Sequence, residues 1–427
     1  MASKQNFSVV IDLGTSKLVA LAGKLTELGK MEILGLSKMP SKGIKRGVIF
    51  NIDEAADAIT ALLENLAGQF DEEINTVDVI MAGSKMRTID YQCTALTSGE
   101  GFVTARDVER LMEEARNVSI QQDYKVVKVI PASYIIDDEN EVEKPVGSTG
   151  QKLDARFKLI VVPEVYLNNI RLVLKKVGVE LGELIHASLA VSEAVLSTEE
   201  KEVGVIVADF GAGTTNLAVF QDNVLKHTAV VPFGGEVVSN DIKEGCSIFL
   251  KKAELLKVKY GQAMGDFADD QKVVTIAGEN GWEPRDISFK SLAYIIQARL
   301  EEIIECVHAE IRRSGIEENL GSGIVITGGT SNLENIISLL KFKTAMDARK
   351  AHAVIHPVNR REEFQNSELL SALGALKLVL SSADTGAGNT HGRSKKAKER
   401  RFAPLFKDVV QGALNLFDTD NSDAELN

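Results

Sequence analysis

Few cysteines are present, and none is arranged for chemistry. Cys93, Cys246 and Cys306 lie far apart and form no CxxC pair, which argues for reduced thiols in a cytosolic protein and against a disulfide framework. No stretch reaches the ~18 uninterrupted apolar residues of a spanning helix. The start, "MASKQNFSVVIDLG", enters a strand almost at once and leaves no room for a signal peptide. Overall basic charge is missing too. At a net charge of −12 no global attraction to nucleic acid is expected, and any basic function must be local. GxxxxGK[ST] does not occur, and "GAGTTN" lacks the third glycine of GxGxxG and leads into a strand, not a helix. His352 and His356 in "HAVIH" have the i,i+4 spacing of a helical metal pair, but the Ala-Val-Ile between them and Pro357 after them predict a strand.

What is there is an ordinary globular composition, 44% hydrophobic over 427 residues, enough for two or three domain-sized units. Two segments share one design. "FSVVIDLGTSKLVALAG" (Phe7 to Gly23) is an apolar strand, an Asp-x-Gly turn with small hydroxylated residues, and a second apolar strand. "VGVIVADFGAGTTNLAVF" (Val203 to Phe220) repeats it half a chain later. Each reads as a β-hairpin, and repetition at that distance predicts two similar α/β lobes, not a short-period solenoid. Between them, "DEAADAITALLENLAGQF" is an amphipathic helix expected to start at an Asp53 cap. From Ser84 to about Val162 the pattern changes to a compact βαββ-type unit with a Thr/Asp-capped helix, "TARDVERLMEEARNV". "NSELLSALGALKLVL" is the last core helix, and "SSADTGAGNTHG" from Ser381 to Gly392 reads as a flexible linker.

The glycine turns carry the chemistry. A turn whose N–H groups converge can hold phosphate oxygens if no side chain blocks the approach. Gly14, Gly211 and Gly213 leave that space, and Thr15, Ser16, Thr214 and Thr215 add hydroxyl donors. Lys17 can add charge at the first turn. Asp12 and Asp209 end apolar strands and would face each other across a cleft. Two carboxylates beside polyphosphate need a cation, and Mg²⁺ held through water is the natural solution. "ITGGTSNL", with Gly328, Gly329 and Thr330, has the strand–turn–helix order that allows close backbone approach to a ring or ribose.

At these residues the sequence resembles the actin-like (ribonuclease H-like) ATPase superfamily, through the two phosphate turns, the connecting helix "LAVSEAVL", the turn at Gly328–Gly329 and a second connecting helix around Gly374. Within it the wording "IDLGTSK", "SEAVLSTEEKEVGVIVADFGAGTTN", "KAELLKVKYG" and "VTARDVERLMEEA" is similar to the FtsA family of bacterial division proteins, over about residues 7 to 380. The resemblance implies an α/β two-lobed fold with lobe one over 1–83, 163–196 and 358–380, and an inserted α+β subdomain over 84–162. Lobe two takes 197–357, including a smaller subdomain at about 241–312. It implies ATP and Mg²⁺ in the cleft, filament formation, and recruitment of the tubulin-like FtsZ ring to the cytoplasmic face of the cell membrane at the division septum. Later division proteins would join there. It places Glu193 as a water-orienting carboxylate, adds Gly234 and Gly235 to the cofactor set, and assigns Glu254 and Lys257 to adenine and ribose. The smaller subdomain of lobe two would take the C-terminal peptide of FtsZ, with Arg285, Lys290 and Arg299 as candidate contacts. Two departures, Ala212 for a common Gly and Asn216 for a common Asp, predict binding with slow turnover. A pilus-type cytoplasmic actin homologue and a small-molecule kinase of the same superfamily are the rivals.

The end of the chain reads separately. Residues 381–401 form the linker with its basic run, Arg393, Lys395, Lys396, Lys398, Arg400 and Arg401. Over 402–418, at ~100° per residue, Phe402, Leu405, Phe406, Val409, Val410, Leu414 and Phe417 share one half of a helical wheel. An apolar face beside a cationic run predicts a helix lying on anionic membrane lipids, followed by a disordered acidic tip, 419–427.

Overall fold

The continuous apolar runs become the central strands of two sheets with one and the same topology. The computed structural model describes residues 5–387, apart from 71, 99–100, 121–122 and 278–282. In lobe one, β1 (Ser8–Leu13), β2 (Lys17–Leu25) and β3 (Met31–Pro40) form an antiparallel meander. A ribbon of β4 (Ile44–Lys45) and β5 (Val48–Ile49) leads to α1 (Ile52–Ala67). The cap of α1 is Asn51 and not Asp53: its side chain accepts the N–H groups of Asp53 and Glu54 at 3.1 and 3.2 Å, while the Asp53 carboxylate pairs with Lys176. Then β6 (Thr76–Met81) joins β1 in parallel.

The inserted unit is β7 (Arg87–Leu96), α2 (Ala105–Arg116), β8 (Tyr124–Ile136), β9 (Asn140–Val142) and β10 (Lys152–Pro163), a sheet ordered β7-β10-β8-β9. It has a core of its own, in which Val108, Leu111 and Ala115 of α2 meet Tyr134, Phe157 and Leu159 of the sheet. Thr104 and Asp107 form the expected capping box, which satisfies two otherwise orphaned N–H groups. The chain returns through α3 (Glu164–Val177) to β11 (Glu180–His186), completing the order β3-β2-β1-β6-β11. It crosses over through α4 (Ala187–Val195) and α5 (Thr198–Val203).

Lobe two repeats the plan: β12 (Val205–Phe210), β13 (Thr215–Gln221) and β14 (Val224–Val231) are an antiparallel meander. The smaller subdomain holds α6 (Gly235–Cys246), α7 (Leu250–Tyr260), the ribbon β15 (Val273–Ile276) and β16 (Arg285–Ser288), and α8 (Phe289–Arg313). After it, β17 (Ile324–Thr327) and, past α9 (Ile336–Thr344), β18 (Ala348–Lys350) add in parallel beside β12. The order β14-β13-β12-β17-β18 matches lobe one strand for strand. Between the sheets lie α4 and α10 (Leu370–Ala387), whose buried Ala190, Ala194, Leu373 and Leu376 share one core with Val10 and Leu21 of lobe one and Val205 and Val207 of lobe two.

Two further expectations change. The helix α10 continues through Ser381 to Ala387, because no proline interrupts it and the Ser382 hydroxyl turns back onto the Leu378 carbonyl at 2.8 Å. "HAVIH" is not a strand: β18 ends at Lys350, and the Val354 N–H is spent on the Ala194 carbonyl of α4 at 2.8 Å. Among the described residues no group of three or more His, Cys, Asp or Glu gathers as a metal cluster, and no helix is long and apolar enough to cross a membrane.

Candidate functional site

Both hairpins turn at the same edge of their sheets, and their tips close on each other. Four residues separate the last paired positions in each, Leu13↔Leu18 and Phe210↔Thr215. A Cβ on Gly213 would lie 2.3 Å from the Thr15 hydroxyl, so the tips can approach only because position 213 has no side chain. A third turn enters behind β17. Gly328 has φ +85°, and a Cβ there would meet the Asp209 carboxylate and the Phe210 carbonyl, each at 2.5 Å. Thr330 donates to the Gly211 carbonyl at 3.1 Å, and the Gly235 N–H donates to it at 2.9 Å. These contacts lock the second turn to the start of α6. The result is a cleft of about 630 Å³ between the lobes, lined by Asp12, Gly14, Thr15, Ser16, Lys17, Asp209, Gly211, Gly213, Thr214 and Asn216 with Gly235, Glu254, Lys257, Gly328, Gly329 and Thr330.

The electrostatics would suit a cation. Burial, and then the facing Asp209 carboxylate, push Asp12 up to about 7, against a partial offset from Lys17. Asp209 is also raised by burial, offset by the Asn216 amide and by Lys17. Asn216 stands directly across the hairpin from Asp209 and donates to it at 3.2 Å, yet its own Oδ1 is buried without a partner. Two strained carboxylates and an orphaned amide oxygen fit hydrated Mg²⁺, which keeps most of its waters and supplies the charge that both carboxylates and a polyphosphate need.

The far wall suits a flat apolar ring. Leu250, Leu255 and Val258 of α7 face the cleft, and Leu255 and Val258 are 67% and 74% exposed, an unusual outlay of apolar surface unless something covers it. Beside them Lys257 is buried, donating to the Gly235 carbonyl at 2.7 Å, the Ser239 hydroxyl at 2.8 Å and the Glu254 carboxylate at 2.8 Å.

Comparison with known proteins bears on the family and the fold. The family profile described as "Cell division protein FtsA" matches residues 206–374, and the one described as "SHS2 domain inserted in FTSA" matches residues 83–161. The Cell division protein FtsA of Pseudomonas aeruginosa is 33% identical over 342 residues, covering 79% of this chain and 82% of that one. The chain belongs to the FtsA family. FtsA of Bacillus subtilis is 32% identical over 334 residues, 78% of this chain and 75% of that one. Among solved structures, the PilM–PilN type IV pilus biogenesis complex aligns with a TM-score of 0.60 at 15% identity, over 87% of this chain and 98% of that one. MreB5 of Spiroplasma citri bound to ADP aligns at 0.53 and 14% identity, over 90% and 99%. Such distant likeness establishes the actin-like fold alone, so the pilus-type rival yields to the FtsA match.

Some residues singled out in this FtsA sequence are placed elsewhere. Glu193 is not among the residues lining the cleft. It is held instead by Lys377 at 2.7 Å and Lys201 at 3.3 Å; burial works against its charge, but these ammonium groups keep its carboxyl below the usual range. Ala187 is what α4 offers the cleft from its first turn. Thr215 is fully buried and donates to the Phe233 carbonyl at 2.9 Å, because strand alternation turns it away from the face that Thr214 shows. Gly234 packs under the second turn rather than lining the cleft, its missing Cβ 2.5 Å from the Gly211 carbonyl. In the smaller subdomain Arg299 is no free cation: Asp241 takes its guanidinium, with Glu302 on another nitrogen. Arg285 stays exposed on β16, donating to the Cys246 carbonyl at 3.3 Å, and Lys290 sits in the first turn of α8. Sequence reading missed Ser239, Leu255, Val258 and Glu368, all of which line the cleft. The exposed Leu and Val of "ELLKVKYG" break the apolar stripe of a buried helix and were the available signal. The seven apolar residues of the tail helix, and the linker beyond 387, lie outside the described residues.

Proposed function

We propose that this member of the FtsA family binds ATP with Mg²⁺ between its lobes, self-assembles into actin-like filaments, and tethers the FtsZ ring to the cytoplasmic face of the membrane at the division septum. The observation that carries the nucleotide reading is the convergence of three glycine turns, two from duplicated hairpins and one from β17, on two strained carboxylates. Backbone N–H groups and the hydroxyls of Thr15, Ser16 and Thr214 would receive the phosphates. Lys257, Glu254 and the apolar side chains of α7 would receive the nucleoside, and Asp12, Asp209 and Asn216 would hold the hydrated Mg²⁺. With Glu193 turned away, α4 contributes no carboxylate to order an attacking water, which supports slow turnover. Titration calorimetry tests the binding: heat is expected from ATP with Mg²⁺ and little from ATP with a chelator, and silence in both would overturn the reading.

The membrane part rests on the sequence of 393–418. Each basic residue near an anionic surface contributes about 1 kcal/mol, and several half-buried large apolar side chains, worth about 1.5–3 kcal/mol each when fully buried, supply the rest. Phe406→Glu with Leu414→Glu should leave ATP binding intact and abolish co-sedimentation with anionic liposomes. Unchanged sedimentation would retire the anchor. FtsZ's C-terminal peptide would dock on the smaller subdomain near Arg285 and Lys290, and the pairing of Arg299 with Asp241 supports leaving Arg299 out of that contact.

A further inference from the structure

Two carboxylates in the cleft lining come from neither phosphate turn and were not singled out in the sequence, Glu236 at the start of α6 and Glu368, and only Glu368 is paired with a lysine of the first turn. Glu368 lies in a short 3-10 segment just before α10, where the Asn366 side chain accepts its N–H at 3.0 Å. One of its oxygens takes the Lys17 ammonium at 2.9 Å and the Lys38 ammonium as well. Both lysines reach it from one sheet face. Lys38 is directly opposite Val19 and Lys17 opposite Pro40, so the two are diagonal neighbours across β2 and β3. The other oxygen faces lobe two, 3.5 Å from where a Cβ on Gly329 would be. Glu368 therefore sits at the seam of the cleft, between the first phosphate turn and the third glycine turn.

The supply of positive charge makes this position consequential. Three lysines line the cleft, Lys17, Lys251 and Lys257. Lys257 is committed to Glu254, Ser239 and the Gly235 carbonyl, and Lys251 belongs to the opposite wall on α7. Lys17 is thus the cation of the phosphate turns. Left alone, it would be drawn toward Asp12 and Asp209, the two carboxylates that already feel its charge, and would occupy the place of the metal.

We propose that Glu368 is a positioning residue that parks Lys17 at the cleft rim and hands it to the polyphosphate of an incoming nucleotide. The inference rests on the nucleotide reading given above. Because Lys38 remains on the same carboxylate, Glu368 can release Lys17 without being left as an unpaired charge, and this is what Lys38 contributes. The two flanking side chains then act with opposite sign. Removing the negative charge by Glu368→Gln frees Lys17 and makes the turn more positive. Removing Lys38 leaves Glu368 with a single partner, Lys17, and strengthens its hold.

Calorimetric titration of the full chain with ATP, AMP and adenosine, each with Mg²⁺, tests this. Glu368→Gln should bind ATP about two- to fivefold more tightly, and Lys38→Ala more weakly by a similar factor, the scale of one partly exposed ion pair. Both effects should shrink with AMP, vanish with adenosine, and fade at high salt. A role confined to holding the fold would instead weaken every ligand alike in both variants, and that result would overturn the proposal. So would weaker ATP binding by Glu368→Gln alone. If the unaltered protein gives no heat with ATP, the nucleotide reading itself falls and this inference with it; if it binds and the variants do not diverge, only the inference falls.

Discussion

Replacing Asp12 with asparagine should make the ligand-free protein more stable at pH 8 and, at the same time, insensitive to Mg·ATP. The first half follows from linkage. A carboxyl raised from 3.8 to about 7 by burial and by Asp209 keeps its proton in the folded state while the unfolded chain has already lost it. Between those values the native state binds more protons, so stability falls as pH rises and the deficit is complete above about 7. Asparagine has the shape of the protonated acid and no charge to desolvate. A shift of this size, discounted for the coupling to Asp209, corresponds to about 2–4 kcal/mol at pH 8. At pH 4, where Asp12 is protonated in the fold, the two proteins should melt together. The second half follows from the site: a ligand stabilises by RT ln(1 + [L]/Kd), and the variant lacks the carboxylate through which the hydrated metal would be held. Thermal denaturation at pH 4 and pH 8, with and without Mg·ATP, checks both. A variant less stable than the parent at pH 8 would show that Asp12 is not strained.

That strain was only half legible in the sequence. The hairpins could be read because a continuous apolar run ended at Asp-x-Gly twice and a second apolar run followed each turn. The duplication predicted two similar lobes, but the parallel strands that complete each sheet, β6 and β11 in one and β17 and β18 in the other, had no such local signal. What local pattern cannot supply is phase across the cleft. Thr214 and Thr215 are equivalent by composition, yet one residue of alternation sends the first into the cleft and the second to the Phe233 carbonyl. Glu193 sits on the predicted connecting helix, but six residues past Ala187 put it about 120° round the helix and more than a turn and a half further along, where Lys377 and Lys201 claim it. Glu368 could not be read at all. Its partners Lys17 and Lys38 are more than 300 residues away, and nothing in "QNSELL" separates it from an ordinary acid in a helix's first turn. The contact between Gly213 and Thr15 was equally out of reach, since it exists only when both lobes are in place.

The largest loss of stability should come from one methyl group at Gly374. This glycine lies on α10 where it crosses α4, and a Cβ there would be 1.8 Å from the Ala190 carbonyl oxygen, 2.9 Å from its carbon and 3.0 Å from the Ala194 nitrogen. All three are backbone atoms, so no side chain can rotate out of the way. Relief requires the helices to part, and each is packed against the sheets of both lobes through one continuous core. Alanine's better helix propensity returns only about 1 kcal/mol, whereas overpacking costs about 1–3 kcal/mol even where side chains can adjust. Gly374→Ala should therefore lose about 3 kcal/mol or more. Gly68→Ala provides the comparison. It too has right-handed backbone, as the residue that ends α1, but its Cβ would come no closer than 3.6 Å to the atoms around it, and it should change stability by less than about 0.5 kcal/mol. Denaturant unfolding of the two variants measures the difference. Since α4 and α10 are the layer on which the lobes close, parting them also separates Thr15 from Gly213, and ATP affinity should fall in Gly374→Ala and hold in Gly68→Ala. Equal behaviour of the two would mean that the crossing can loosen without moving the lobes.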